Sequence, residues 1–318
     1  MKKTISALFL SACIGLSSVY ADNALILQTD FSLKDGAVSA MKGVAFSVDS
    51  NLKIFDLTHE IPPYNIWEGA YRLYQSASYW PQGSVFVSVV DPGVGTNRKS
   101  VVLKTKNGQY FVSPDNGTLT LVAQTLGIDS VREIDEKANR LKGSEKSYTF
   151  HGRDVYAYTG ARLASGAITF EQVGPELPAK VVEIPYQKAK ATKGEVKGNI
   201  PILDIQYGNV WSNISDRLLN QAEIKRNDIL CVTISKGSKK KYEGKMPYVA
   251  SFGDVLKGQP LIYLNSLLNV SVALNRDNFA QKYQIKSGAD WNIDIKSALS
   301  KALFRKIKGE LKISTIKL

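Results

Sequence analysis

Histidine and cysteine are scarce in this 318-residue chain, which carries two of each. The histidines are His59 and His151, the cysteines Cys13 and Cys231. So few imidazole and thiol ligands exclude a zinc site rich in nitrogen and sulfur. His59-Glu60 opens like a zincin motif, yet no second histidine follows at helical spacing. Acidic residues are also in deficit: 29 Asp and Glu face 41 Lys and Arg, for a formal charge of +12. The surplus is mostly lysine, bunched over residues 188–197, 236–245 and the tail beyond Lys296. Such runs, without interleaved arginine and aromatics, describe a solvated face rather than a nucleic-acid groove. Gly93-Val-Gly95 lacks the third glycine and helix of a dinucleotide fingerprint, and there is no phosphate loop ending in Gly-Lys-Ser/Thr. No serine sits in a nucleophile elbow. Neither metal nor cofactor nor nucleic-acid partner is expected.

Long apolar runs are also missing beyond the first residues. Lys2-Lys3, the apolar residues 5–16 and Val19-Tyr-Ala21 before Asp22 have the order of a secretory signal. The stretch is short for a transmembrane helix, so no transmembrane segment is expected in the mature chain. Residues 1–21 are therefore expected to be a signal peptide, and the protein to be periplasmic or secreted. Leu10-Ser-Ala-Cys13 resembles a lipoprotein cleavage box, which makes a lipid-modified Cys13 the alternative. An ordinary buried N-terminal element is the plainer one. After cleavage Cys231 would be the sole cysteine, so no internal disulfide could form.

The remaining pattern is α/β. Apolar runs at 24–28, 52–57, 84–90, 100–105 and 110–112 predict strands, and residues 35–47, 66–79, 116–125 and 155–165 predict helices. Pro62-Pro63 marks a break before the second helix. Composition shifts after Tyr186, where residues 187–198 read as a linker or exposed hairpin. Beyond it, short alternating segments at 198–206, 229–235, 247–252 and 259–263 predict a small β domain. The expected units are an N-terminal α/β sheet domain over 22–186, a linker over 187–198, and a smaller C-terminal β domain over 199–318. Ala298, Leu299, Ala302, Leu303, Phe304 and Ile307 line one side of a basic helix candidate in its tail.

The most informative feature is polar punctuation at predicted strand ends. Asp91-Pro-Gly-Val-Gly-Thr-Asn-Arg98 follows the apolar run at 84–90, and Thr149-Phe-His-Gly-Arg-Asp154 carries the second histidine. Open α/β sheets bind ligands at such strand termini. With so few histidines, a carboxylate, a guanidinium and an imidazole have few places to meet other than Asp91, Arg98 and His151. Thr29-Asp30-Phe31, Asp56-Leu-Thr-His-Glu60 and Ser113-Pro-Asp-Asn-Gly117 are similar clusters. One alone would be an ordinary cap or turn; five suggest a shared polar crevice. Phe31, Tyr64 and Phe150 beside them could stack a flat ring, or simply fill the core.

In this order the clusters resemble the S-adenosyl-L-methionine hydrolase (adenosine-forming) family, also called SAM hydroxide adenosyltransferases, relatives of the fluorinase and chlorinase. The pieces are Thr29-Asp-Phe31 with Met41-Lys-Gly-Val44, Asp56-Leu-Thr-His-Glu-Ile-Pro62, Asp91-Pro-Gly-Val-Gly-Thr96 with Arg98, Pro114-Asp-Asn-Gly117, Thr149-Phe-His-Gly-Arg-Asp154, and Asp204 followed by Tyr207-Gly-Asn-Val210 and Asn213. Asn265-Ser266 and Asn278 with Ala280 fit more loosely, and the likeness runs from about Leu25 to Ala280. Two departures stand out: Ser32 replaces a usual glycine, and Asn265-Ser-Leu-Leu268 lacks the common one.

The resemblance implies hydrolysis of S-adenosyl-L-methionine at the ribose 5′ carbon, giving adenosine and methionine. It implies Asp91, Arg98 and His151 as catalytic residues, since halogenase relatives replace the Asp and His positions. It also implies Asp30 on the ribose hydroxyls, Tyr64, Phe150 and Tyr207 around adenine and sugar, Asp204 and Asn209 on the methionine amine, and Ser266 near the carboxylate. A homotrimer is implied, with each site between the N-terminal domain of one subunit and the C-terminal domain of its neighbour. Methionine leaves as a neutral thioether, so the difficulty lies in the nucleophile, because bulk water has a pKa of about 15.7. A water fixed by Asp91, Arg98 and His151 could be deprotonated as the bond forms, by either Asp91 or His151. Alternatives are halogenase-type displacement, a non-catalytic exported adenosine or S-adenosyl-L-methionine binder, and a basic protein that binds anionic polymers.

Overall fold

The computed structural model describes residues 24–298. The expected signal, Cys13 and all but the first residue of the expected C-terminal helix lie outside them. The chain opens with β1 (Leu25–Thr29), α1 (Ala37–Val48), β2 (Ile54–Thr58), α2 (Ile66–Ala77), β3 (Val85–Val89), β4 (Ser100–Thr105), β5 (Tyr110–Pro114), α3 (Thr120–Leu126) and β6 (Ile128–Glu133). After a long irregular segment a π-helical stretch, Gly152–Ala157, runs directly into α4 (Tyr158–Ala164), followed by β7 (Glu176–Leu177). The seven strands form one sheet ordered β2-β1-β3-β5-β4-β6-β7. β2, β1, β3 and β5 are parallel, and β4, β6 and β7 run antiparallel to their neighbours.

Continuous apolar runs in the central strands follow from burial on both faces. Alternate side chains point to opposite sides, so Leu25, Leu27, Val85, Val87 and Val112 pack with Met41, Ala45, Val155 and Ala161 on one face. Ile26, Phe86, Phe111, Val101 and Leu103 pack with Leu73, Ala77, Val122 and Ala123 on the other. Helix α2 starts where the proline pair predicts a break, and its cap is Asn65, whose side chain accepts from the Glu68 N–H. Helix α3 is shorter than expected. Asn116 stays outside it and uses its side-chain oxygen on the Thr118 N–H and hydroxyl instead.

The second half is antiparallel. Strands β8 (Lys190–Thr192) and β9 (Glu195–Asn199) form a hairpin within residues 187–198 and the residue after them. They are followed by β10 (Ile202–Asp204), β11 (Asn209–Ser215), α5 (Asp216–Gln221), β12 (Ile229–Lys236), β13 (Lys239–Pro247), β14 (Pro260–Leu264), β15 (Asn269–Leu274), α6 (Phe279–Tyr283) and β16 (Trp291–Ser297). One sheet is ordered β10-β11-β15-β14 and the other β13-β12-β16-β9-β8. Their inner faces share a core that includes Val196, Val210, Ile214, Val232, Ile262, Val272 and Ile293. Residues 248–252, expected as strand, instead leave β13 through a bridge of Tyr248 to Ile262. The two halves meet where the Trp67 indole donates to the Pro201 carbonyl at 2.9 Å. Cys231 is a buried free thiol. Among the described residues no helix is long and apolar enough to cross a membrane.

Candidate active site

The parallel strands deliver their C-terminal ends to one edge of the sheet, and the polar motifs follow those ends. Asp30 follows β1, His59 follows β2, Val90 and Asp91 follow β3, and Asp115 and Asn116 follow β5. The loops are cross-tied. The Thr29 hydroxyl lies 2.8 Å from His59 Nδ1, and His59 Nε2 lies 3.0 Å from Asp56. The Ser32 N–H donates to the His59 carbonyl at 2.8 Å, and the Asn116 amide donates to the Val90 carbonyl at 2.8 Å. His59 is thus engaged at both ring nitrogens and braces the loops.

Asp30 accepts the Tyr64 backbone N–H at 2.9 Å, while the Tyr64 side chain is exposed. The Phe31 and Phe150 rings meet edge to face at 5.8 Å. A Cβ on Gly152 would stand 2.9 Å from the Phe31 ring, so the segment carrying Phe150 and His151 rests against the loop after β1. Asp30, Tyr64, Phe150 and His151 therefore share one neighbourhood.

Asp91 and Arg98 are in direct contact. Arg98 Nε lies 3.0 Å from each carboxylate oxygen, and Nη2 lies 2.6 Å from Oδ2. His151 joins this pair through a polar chain rather than a direct bond. Arg98 Nη1 donates to the Ser100 hydroxyl at 3.0 Å. That hydroxyl lies 3.1 Å from the Tyr156 hydroxyl and donates to Glu136 Oε1 at 3.3 Å. Arg140 Nη2 donates to Glu136 Oε2 at 2.5 Å and stands 3.1 Å from His151 Nε2. The Tyr156 ring lies between the two ends, 5.6 Å from the Arg98 guanidinium and 6.4 Å from the His151 ring. Ser100, Glu136, Arg140 and Tyr156 were not singled out from the sequence. Glu136 and Arg140 fall in an irregular segment without periodicity, and Tyr156 reads as an ordinary core aromatic.

The electrostatics favour fixed charges here. Burial opposes the charge on Arg98, but the hydrogen bonds to Asp91 and the nearby Tyr156 and Glu136 raise its pKa above the ordinary guanidinium value. The His151 ring and, with burial opposing, the Arg140 guanidinium hold the Glu136 carboxyl down at about 2. Burial pushes the Tyr156 phenol above its usual range, so it remains a neutral donor.

Asp204, Tyr207, Asn209 and Ser266 gather elsewhere, in a cleft of about 810 Å³ that Trp211 and Phe252 also line. Asn209 donates to Asp204 at 3.1 Å. Gly208 turns the chain between them with φ +69, and a Cβ there would come within 1.9 Å of Asn278, so only glycine fits. Every residue lining the cleft lies between Asp204 and Asn278, and none belongs to the Asp91 cluster. One chain thus presents the ten sequence-predicted residues as two groups. Ser32 and Leu268, one in each of the two departing segments, have φ of 59° and 57°. This is the left-handed region glycine favours, which accounts for a usual glycine at position 32.

The model of the SAM hydroxide adenosyltransferase N-terminal domain matches residues 25–174, and that of the C-terminal domain matches 198–292. The chain belongs to this family of two-part α/β proteins. It is 37% identical over 258 residues to the (R)-S-adenosyl-L-methionine hydrolase of Methanocaldococcus jannaschii, covering 80% of this chain and 92% of that protein. A fluorinase from Actinopolyspora mzabensis is 26% identical over 298 residues, covering 86% and 97%. Among solved structures, an uncharacterized conserved protein from Thermotoga maritima superposes with a TM-score of 0.78 at 34% identity, covering 86% of this chain and 99% of that one.

Proposed function

We propose that this protein is an S-adenosyl-L-methionine hydrolase that releases adenosine and L-methionine. The observation that carries the reading is the buried Asp91–Arg98 pair, joined through Ser100, Glu136 and Arg140 to His151, in a chain whose hydrolase relative is so similar. Water attacks the ribose 5′ carbon in line with the departing sulfur. The new C–O bond forms as the C–S bond breaks, the electron pair goes to sulfur, and one water proton passes to the protein and then to solvent. A sulfonium leaves as a neutral thioether, so no metal is needed to activate it. Asp91, Arg98 and His151 serve the water, and holding it in line can contribute as much as proton transfer, about 7–11 kcal/mol for well-oriented reactants. Asp30 grips the ribose hydroxyls, Tyr64, Phe150 and Tyr207 enclose the nucleoside, and Asp204, Asn209 and Ser266 hold the methionine end.

The separation of these residues into two groups on one chain supports a homotrimer in which neighbouring subunits complete each site. The fluorinase likeness makes halide displacement the second reading, but the carboxylate and imidazole of Asp91 and His151 suit water better than a bare halide. The test is incubation of the protein with both sulfonium epimers of S-adenosyl-L-methionine, with and without halide, and identification of the nucleoside. Adenosine is expected after exhaustive chelation as before it. A 5′-halo nucleoside in chloride would place the protein with the halogenases, and no nucleoside product would leave it a binder. The leader-like first residues support export to the periplasm or beyond. Mass spectrometry of the envelope protein should find Asp22 as its first residue, whereas an intact Met1 in the cytosolic fraction would overturn export and a diacylated Cys13 would mean anchoring.

A further inference from the structure

Asp91 and His151 are both chemically able to take a proton from an attacking water, and the surroundings of His151 discriminate between them. We infer that Arg140, anchored by Glu136, fixes His151 as the tautomer protonated at Nδ1, so that His151 donates to the nucleophile and Asp91 is the base; the catalytic part rests on the hydrolytic reading above.

A guanidinium only donates. Arg140 Nη2 carries two hydrogens and faces two atoms, Glu136 Oε2 at 2.5 Å and His151 Nε2 at 3.1 Å. One hydrogen serves each. The 3.5 Å between Oε2 and Nε2 is then the spacing of two acceptors that share one NH2 group. A proton on Nε2 would point one N–H at another. A neutral imidazole has one proton, and the bond at one nitrogen decides which carries it, so the proton sits on Nδ1. Nδ1 is buried and has no hydrogen-bond partner among the described residues, so its N–H is the donor of the ring that the protein leaves unspent. The charged and titratable groups around the ring are Arg140, Glu136, Tyr148 and Tyr156. Arg140 is itself buried and lies 4.7 Å from the Tyr148 ring, which restricts its swing.

During the reaction Nδ1–H stabilises the oxygen as its O–H bond breaks, and that proton goes to Asp91. Arg98 places two donors, Nε and Nη2, on Asp91 Oδ2 and only Nε on Oδ1, so the lone pair left to take the proton is on Oδ1. Arg140 and Glu136 touch no reacting atom; they are positioning residues.

The chain has only two histidines, so nitrogen-15 NMR of the imidazoles in the intact protein reads the tautomer directly, with His151→Gln identifying the signals. At mildly alkaline pH and without substrate, His151 is expected to carry its proton on Nδ1. Arg140→Met should move it toward the Nε2 form and lower kcat by about tenfold or more, with KM little changed. Arg140→Lys should retain the Nδ1 form and part of the rate. If Arg140→Met does not fold, the wild-type spectrum and Arg140→Lys still decide. A wild-type ring protonated at Nε2, or Arg140→Met with tautomer and kcat unchanged, overturns the proposal. The spectra need no substrate, so failure to hydrolyse S-adenosyl-L-methionine would be seen separately from failure of the tautomer assignment.

Discussion

Arg98 grips Asp91 from one side, with Nε 3.0 Å from both carboxylate oxygens and Nη2 2.6 Å from one of them, and the Asp91 side chain is only 4% exposed. A buried charge so held is costly to strip of its partner. Arg98→Met is expected to destabilise the protein by about 3 kcal/mol, read as a lower urea midpoint. Asp91→Asn leaves the buried Arg98 guanidinium without its counter-charge, so it too should lower stability, and it should reduce kcat by about 10²–10⁴ with substrate affinity by calorimetry nearly unchanged. Equal losses in affinity and kcat would remove Asp91 from the service of the nucleophile.

Glu136 gives a pH signature. Its folded pKa of about 2 lies below the ordinary 4.5, so the folded state favours the carboxylate. The associated stability is fully present above about 4.5 and is lost as pH falls through about 2. Glu136→Gln should therefore be less stable than wild type near neutrality, and the gap should close across that acid window. A gap that stays constant from neutral to acid pH would show that the ionised carboxylate contributes nothing.

Leu268 occupies the left-handed region with φ 57, and its side chain is largely exposed. An L-residue there costs about 1–2 kcal/mol, while glycine loses about 0.5–1 kcal/mol through its freer unfolded chain. Leu268→Gly should raise the melting temperature modestly, and Leu268→Val should lower it. A fall in Tm with glycine would mean that the leucine side chain makes a contact in the assembled protein worth more than the backbone relief.

What the sequence reveals depends on which surfaces are buried. β1, β3 and β4 were legible because both faces are covered, so Leu25-Ile-Leu27 and Val85-Phe-Val87 are unbroken apolar runs. β13 was not: it is an edge strand, and Lys239-Lys-Lys241 on it reads as a solvated charge run. β11 is hidden for another reason: in Tyr207-Gly-Asn-Val210 the turn and polar residues mask the fact that Asn209 also starts a strand. Within the site, Asp91 and Arg98 lie close in sequence beside a strand end and could be paired on sight. The tie from Glu136 through Arg140 to His151 crosses a segment with no regular structure, where spacing carries no geometric information.

The split of the site residues can be tested by mixing subunits. On one chain Asp91 belongs to the N-terminal cluster and Asp204 to the separate cleft. Asp91→Asn and Asp204→Ala should each be nearly inactive alone. If every site lay within one chain, a mixture would stay inactive, because each chain would contribute one damaged half. In a closed ring with heterologous contacts each chain's N-terminal half meets its neighbour's C-terminal half. Random co-assembly then makes about a quarter of the sites wild type on both sides. Co-refolding the two variants should therefore restore adenosine release to about a quarter of the wild-type rate per chain. The restored sites should show the wild-type KM, since both halves are intact. Co-assembled variants that remain as inactive as either parent would place both halves of the site on one subunit.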